Sequence, residues 1–162
     1  MIAPTIFCDL DDCLIARNYH VLPVISVLRP GALELLAELR KIGPVKMLTS
    51  AVHEAAVEEN EAHGLGFLPP DIIGREDFSV YDWYESKATL TVEGNYCPGG
   101  VLIDNQCPPD TYSEAKLKFL GINTTRLIVV PHFLPGYDDD RFLAAIPTVL
   151  SRVKELILGV NA

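Results

Sequence analysis

Nowhere does the chain reach the ~18 consecutive apolar residues that a membrane-spanning helix requires. Basic charge is scarce as well. Only 13 Lys and Arg stand against 22 Asp and Glu, a net charge of −9. That is the reverse of the cationic surface a polyanion binder presents, so it argues against nucleic acid as a partner. The four cysteines, Cys8, Cys13, Cys97 and Cys107, show no Cys-x-x-Cys spacing. Neither a zinc site nor a disulfide framework is indicated, and reduced thiols in a cytoplasmic protein are expected. The opening Met1-Ile2-Ala3-Pro4-Thr5 has no cationic segment, and its apolar stretch breaks at Asp9, so a secretory leader is not expected. Gly-x-Ser-x-Gly and Walker A sequences are both missing, which removes the usual serine-hydrolase and P-loop signatures. Gly64-Leu65-Gly66 lacks the third glycine of a dinucleotide fingerprint and reads as a helix stop. With no repeat, low-complexity tract or linker, one domain over residues 1–162 is expected.

What is present is apolar residue in quantity, 49% of the chain, at a mean hydropathy of +0.21. This is enough for a packed core and excludes general disorder. Short apolar runs alternate with amphipathic stretches, the pattern of a parallel sheet covered by helices. Thr5 to Cys8 is unalternated, as befits a strand buried on both faces. Residues 13–28 read as a loop or short hairpin. A helix opens at Arg29-Pro30-Gly31 with Leu33, Leu35, Leu36 and Leu39 as its buried stripe, and Gly43-Pro44 ends it. Further strands are expected at Val45–Leu48, Val101–Ile103 and Leu127–Val130, with a short one around Asp71-Ile72-Ile73. Helices are expected over Val52–His63, Thr111–Leu120 and Asp139–Leu158, the last kinked or restarted at Pro147. The fold class is therefore α/β, a three-layer α/β/α sandwich around a central parallel sheet.

Polar residues fall at the ends of three of these strands: Asp9 and Asp11 after the first, Thr49 after the second, Asp104 after the third. Open parallel sheets bind ligands outside the carboxyl ends of their strands. If the three strands are neighbours, these side chains share one crevice. Two carboxylates ~4 Å apart repel by about 4 kcal/mol at an effective dielectric near 20, so such a cluster calls for a cation or a proton. Mg²⁺ suits it, being hard, oxygen-seeking and content with one or two carboxylates plus phosphate. A Ca²⁺ loop would need Gly at the position of Leu14 and Glu at that of His20, and fails. Each element alone has a plainer reading: Asp-x-Asp as a turn, Thr49-Ser50 as a helix cap, Asp104-Asn105 as a turn. Asp138-Asp139-Asp140 reads as negative charge at a helix N-terminus. His20, His53, His63 and His132 are scattered and read as surface or satisfied interior positions. Tyr81, Trp83 and Tyr84 read as packing over the sheet.

The run Ile6-Phe7-Cys8-Asp9-Leu10-Asp11-Asp12-Cys13-Leu14 resembles motif I of the haloacid-dehalogenase-like (HAD) superfamily, an apolar strand followed by Asp-x-Asp-x-Thr/Val-Leu. Met47-Leu48-Thr49 resembles motif II, and Leu102-Ile103-Asp104-Asn105 resembles motif IV. For the motif III cation the candidates are Arg75 and Lys87; Lys87 is the better match, shortly upstream of motif IV. Leu28-Arg29-Pro30-Gly31 through Leu48-Thr49-Ser50 is similar to the FCP/SCP-like group, phosphatases of the RNA polymerase II C-terminal domain. Departures are Cys13 in place of the usual Thr and Asp12 in place of that group's Glu.

The resemblance implies an Mg²⁺-dependent phosphatase that hydrolyses a phosphate monoester through an aspartyl-phosphate. Asp9 would be the nucleophile and Asp11 the general acid and then base. Thr49, Ser50 and Lys87 would bind the phosphoryl group, and Asp9, the Asp11 carbonyl and Asp104 would hold the metal. Asn105 and Asp110 are both open as further ligands. Asp11 favours phosphatases or phosphotransferases over dehalogenases, which lack the second aspartate. The intervals Asp9–Thr49 and Thr49–Lys87 are nearly used up by one helix and strand each, so no large cap domain is expected. An open site would take a phosphoprotein or a phosphorylated small molecule. A non-catalytic binding protein of the same fold and a phosphotransferase are the competing readings, and oligomeric state is left open.

Overall fold

The computed structural model describes residues 4–18, 20–77, 100–105 and 126–159. Strand β1 (Ile6–Cys8) is followed by an antiparallel hairpin, β2 (Ile15–Asn18) and β3 (Ile25–Leu28), which realises the expected 13–28 segment. Helix α1 (Ala32–Ile42) leads to β4 (Val45–Leu48), and α2 (His53–His63) to β5 (Ile72–Ile73). Then come β6 (Val101–Asp104), β7 (Leu127–Val129) and α3 (Asp140–Leu158), which runs continuously through Pro147. The helix expected over 111–120 lies outside the described residues.

Five strands form one parallel sheet in the order β5-β4-β1-β6-β7. The chain winds outward from β1 through β4 to β5, then returns to the other side of β1 for β6 and β7. The direction of winding thus reverses at β1, and a switch point of this kind opens a crevice at the strands' carboxyl ends. Register is tight about it: Cys8 pairs with Met47 on one side and Ile103 on the other. The central strands are apolar in unbroken runs because both faces are buried. Ile6, Cys8, Met47, Val101 and Ile103 pack against α1, α2 and α3, while Phe7, Leu48, Ile73 and Leu102 form the core of the opposite face.

Two apolar expectations are corrected. Leu33 is 40% exposed; the stripe of α1 is Ala32, Leu35, Leu36 and Leu39, because Leu33 falls on the helix face turned from the sheet. The last strand stops at Val129, which is 49% exposed, since β7 is the end of the sheet and loses the cover a central strand enjoys. Gly31, just ahead of α1, has φ +83°, and a Cβ there would lie 2.7 Å from Leu143 Cδ2. Only glycine lets the turn approach α3 so closely.

Candidate active site

β1 ends where Asp9 begins, and the Asp9 N–H still donates to the Ile103 carbonyl at 2.9 Å, so its backbone is held by the sheet. The chain then turns sharply. The amides of Leu14 and Ile15 donate back to the Leu10 carbonyl at 2.9 and 3.1 Å, and Asp12 takes a positive φ of 58°, a conformation Asp tolerates better than most residues. Asp9, Thr49 and Asp104 are all buried, at 5%, 0% and 5% exposure. Because β4, β1 and β6 are neighbours, the three strand-end positions lie side by side at the carboxyl end of the sheet.

Thr49 is fixed on both sides. Its N–H donates to the Ile73 carbonyl (3.0 Å), its hydroxyl donates to Asp11 Oδ2 (3.3 Å), and the same oxygen accepts the Ala51 N–H (3.1 Å). The pKa of Asp11 is raised, first by burial and secondarily by the negative charge of Asp12, with the Thr49 hydrogen bond opposing. Burial, more than like charge, is what favours a proton on this carboxyl group. Ser50 is half-buried, and its carbonyl accepts from Arg75 Nε at 2.8 Å. Arg75 therefore braces the loop after β4, while Lys87 lies outside the described residues. At α2 the first amide, that of His53, is already taken by the Glu76 carboxylate at 2.9 and 3.1 Å.

Asn105 joins the strand ends together. One end of its side-chain amide lies 3.1 Å from Asp9 Oδ2, 3.1 Å from Asp104 Oδ1 and 3.3 Å from the Asp11 carbonyl oxygen; the other lies 2.9 Å from His132 Nδ1. Among the described residues no three His, Cys, Asp or Glu side chains alone form a metal-holding group, and the Asp11 carboxylate is turned to Thr49. The oxygen set is instead the carboxylates of Asp9 and Asp104 and the backbone carbonyl of Asp11, gathered about one end of the Asn105 amide. Oxygen donors of mixed charge, only two of them anionic, fit Mg²⁺ chemistry.

Two participants were not anticipated in these roles. Arg29 is fully buried behind the turn, its Nη1 donating to the Cys13 carbonyl at 3.0 Å and its guanidinium stacked 3.6 Å from the Phe142 ring centroid. Only the Leu28-Arg29-Pro30-Gly31 resemblance pointed to it. His132 reaches the rim from the loop after β7, with Nε2 3.7 Å from Asp12 Oδ2; nothing in its sequence surroundings distinguishes it from the other histidines. His53 and His63 are structural: His53 Nδ1 lies 3.0 Å from the Ile72 carbonyl, and His63 Nε2 2.7 Å from Ser26 Oγ. Cys8 and Cys13 are free, buried thiols, and Cys97 and Cys107 lie outside the described residues, as do Tyr81, Trp83, Tyr84 and Asp110.

A parallel sheet that reverses its winding at the strand bearing Asp-x-Asp, with Thr and Asp ending the flanking strands, has the HAD-like fold that the motifs implied. More particularly, the chain is similar to solved structures of the RNA polymerase II CTD phosphatase Fcp1. One is the fission yeast Fcp1 R271A variant bound to beryllium fluoride, at TM-score 0.56 and 14% identity over 96% of this chain and 51% of that one. Another is Fcp1 described as an essential RNA polymerase II CTD phosphatase, at TM-score 0.55 and 18% identity over 96% of this chain and 49% of that one. The chain thus spans about half the length of these structures. No family model matches the sequence, and no curated protein matches it.

Proposed function

We propose that this protein is a phosphatase that hydrolyses phosphate monoesters with the help of Mg²⁺. The observation that carries this reading is the meeting of Asp9, the Asp11 carbonyl and Asp104 about one end of the Asn105 amide, beside Thr49 at the switch point. When bound, the ion supplies charge neutralisation between the attacking carboxylate and the phosphoryl oxygens. Asp9, the Asp11 carbonyl, Asp104 and Asn105 would hold it.

Asp9 attacks phosphorus with a carboxylate oxygen that needs no prior deprotonation. A new P–O bond forms to Asp9 as the bond to the leaving oxygen breaks, and Asp11 donates its proton to that oxygen. Asp11 then takes a proton from water, whose oxygen attacks phosphorus. The P–O bond to Asp9 breaks and inorganic phosphate leaves. The raised pKa of Asp11 supports its acid role. Thr49 and Ser50 bind phosphoryl oxygens, and Lys87 or Arg75 offsets their charge. Little covalent work falls to the protein beyond this; positioning and electrostatics supply most of the acceleration.

The substrate we propose is a phosphoprotein or a phosphorylated small molecule reaching an uncapped site in the cytoplasm. A panel of phosphopeptides and phosphorylated metabolites, assayed with Mg²⁺ against Asp9→Asn, tests the proposal. Phosphate release from at least one class, absent in the variant, is expected. Binding without turnover across the panel would instead identify a non-catalytic protein of this fold.

A further inference from the structure

Arg17 lies on β2 opposite Ser26 of β3, and β2 opens where Ile15 bridges to Asp11. Its side chain is 48% exposed, and Nη2 stands 3.8 Å from Glu59 Oε1, beyond hydrogen-bond length. Glu59 is held elsewhere: its Oε2 accepts from Ser26 Oγ at 2.6 Å, and His63 Nε2 lies 2.7 Å from the same hydroxyl. Exposed ion pairs contribute at most about 1 kcal/mol, and one this loose leaves the guanidinium fork open to a better partner. Neighbouring cations are not open in this way. Arg29 is enclosed by Asp139, and Arg75 directs its Nε to the Ser50 carbonyl.

Arg17 is also near the chemistry. Burial raises the Asp11 pKa, and the positive charge of Arg17 opposes that rise, so the two side chains are within electrostatic range. In the reaction proposed above, Asp11 serves the leaving oxygen. A cation beside Asp11 therefore faces the leaving group more than the transferred phosphoryl. Guanidinium matches a carboxylate with two parallel N–H···O bonds. A singly charged group is also easier to bring here than a second phosphate, because Asp12 and Glu59 already press negative charge on Asp11. Resting on the phosphatase reading, we infer that Arg17 is a specificity-determining residue that binds a carboxylate carried by the leaving group. The substrate class is then a phosphate monoester with a carboxylate near its ester oxygen, such as a phosphorylated residue flanked by Asp or Glu.

Steady-state kinetics with Mg²⁺ on matched substrates test this. One set is the meta- and para-carboxyphenyl phosphates with their carboxamide counterparts. The other is phosphoserine peptides carrying Glu or Gln at each adjacent position. Members of a pair differ by one charge and little in shape. Wild type is expected to favour the carboxylate member about tenfold in kcat/KM, mainly through KM, the scale of one charge-assisted contact. Arg17→Gln abolishes that preference, Arg17→Lys keeps part of it and Arg17→Glu reverses it. A purely structural Arg17 would slow both members of a pair alike. Preference in either set supports the inference, and the set that shows it tells whether a small molecule or a peptide supplies the carboxylate. No preference in wild type, or one that survives Arg17→Gln, overturns the inference and leaves the phosphatase reading standing. Turnover of no member removes the phosphatase reading, and this inference with it. Far-UV circular dichroism confirms that each variant folds, and Arg17→Lys against Arg17→Glu carries the comparison should Arg17→Gln fail to.

Discussion

Asp139 grips Arg29 with both carboxylate oxygens, at 2.7 Å from Nε and 2.8 Å from Nη2, across 110 residues of sequence. The residue that reads as simple negative charge at the start of the last helix is therefore half of a buried ion pair, 11% exposed against 0% for its partner. The pair ties α3 to the turn after β1, because the same guanidinium holds the Cys13 carbonyl.

Removing one partner of a buried, bidentate pair leaves an uncompensated charge and typically costs about 3–5 kcal/mol. Asp139→Ala is expected to lose that much in urea unfolding, and Arg29→Lys somewhat less, since it keeps the charge and forfeits the fork. A change in Asp139→Ala below about 1 kcal/mol, the scale of exposed pairs, would show that the pair does not secure the turn.

Asp11→Asn is expected to abolish or strongly slow turnover while raising the melting temperature at neutral pH. The sign follows from the raised pKa. A carboxyl group that ionises later in the folded protein than in the unfolded chain favours the fold fully below its ordinary pKa of 3.8. That favour is lost as pH rises through the folded value. Above it the ionised group opposes burial, and the neutral amide does not. Melting curves from acid to neutral pH check this: the advantage of Asp11→Asn should grow with pH, and a constant difference would contradict it.

Gly74→Ala is expected to destabilise the protein by about 1–3 kcal/mol, the range for forced overpacking. A Cβ at Gly74 would sit 2.7 Å from the His53 nitrogen and 2.9 Å from His53 Cα, which are backbone atoms with nowhere to move cheaply. The loop after β4 should shift with them, since its neighbours Ile73 and Arg75 hold Thr49 and Ala51. Thermal unfolding and the rate of phosphate release measure the two effects.

The strands were readable because burial on both faces writes an unbroken apolar run, as in Ile6-Phe7-Cys8 and Val101-Leu102-Ile103. Their polar ends were readable for the same reason, since Asp9, Thr49 and Asp104 stand out against what precedes them. What a pattern cannot carry is pairing across space. Arg29 looks like a surface cation until Asp139 and Phe142 enclose it, and His132 looks like any loop histidine until Asn105 is set against it. Edge effects hide similarly: Val129 has the composition of a core strand, yet β7 ends the sheet.

Cys8 and Cys13 are expected to resist iodoacetamide in the native protein near pH 8.5, since only thiolate reacts. Burial pushes the Cys8 thiol from 9.0 up to about 12, with Asp9 adding and Arg40 opposing; Cys13 is raised by burial and then by Asp9 and Asp104. The stability the protonated Cys8 thiol lends is complete below pH 9 and disappears as pH rises toward 12. Peptide mapping should find both unmodified in the native state and alkylated after denaturation. Rapid labelling of native Cys8 would contradict the burial argument.

Attack on phosphorus by the Asp9 carboxylate would leave a direct chemical signature. Acid-quenching the enzyme during turnover of a radiolabelled monoester, followed by borohydride reduction and peptide sequencing, tests it most directly. A phosphorylated enzyme is expected, whose reduction leaves homoserine at position 9 and which Asp9→Asn fails to form. A phosphorylated residue elsewhere, or undiminished phosphate release by Asp9→Asn, would contradict it.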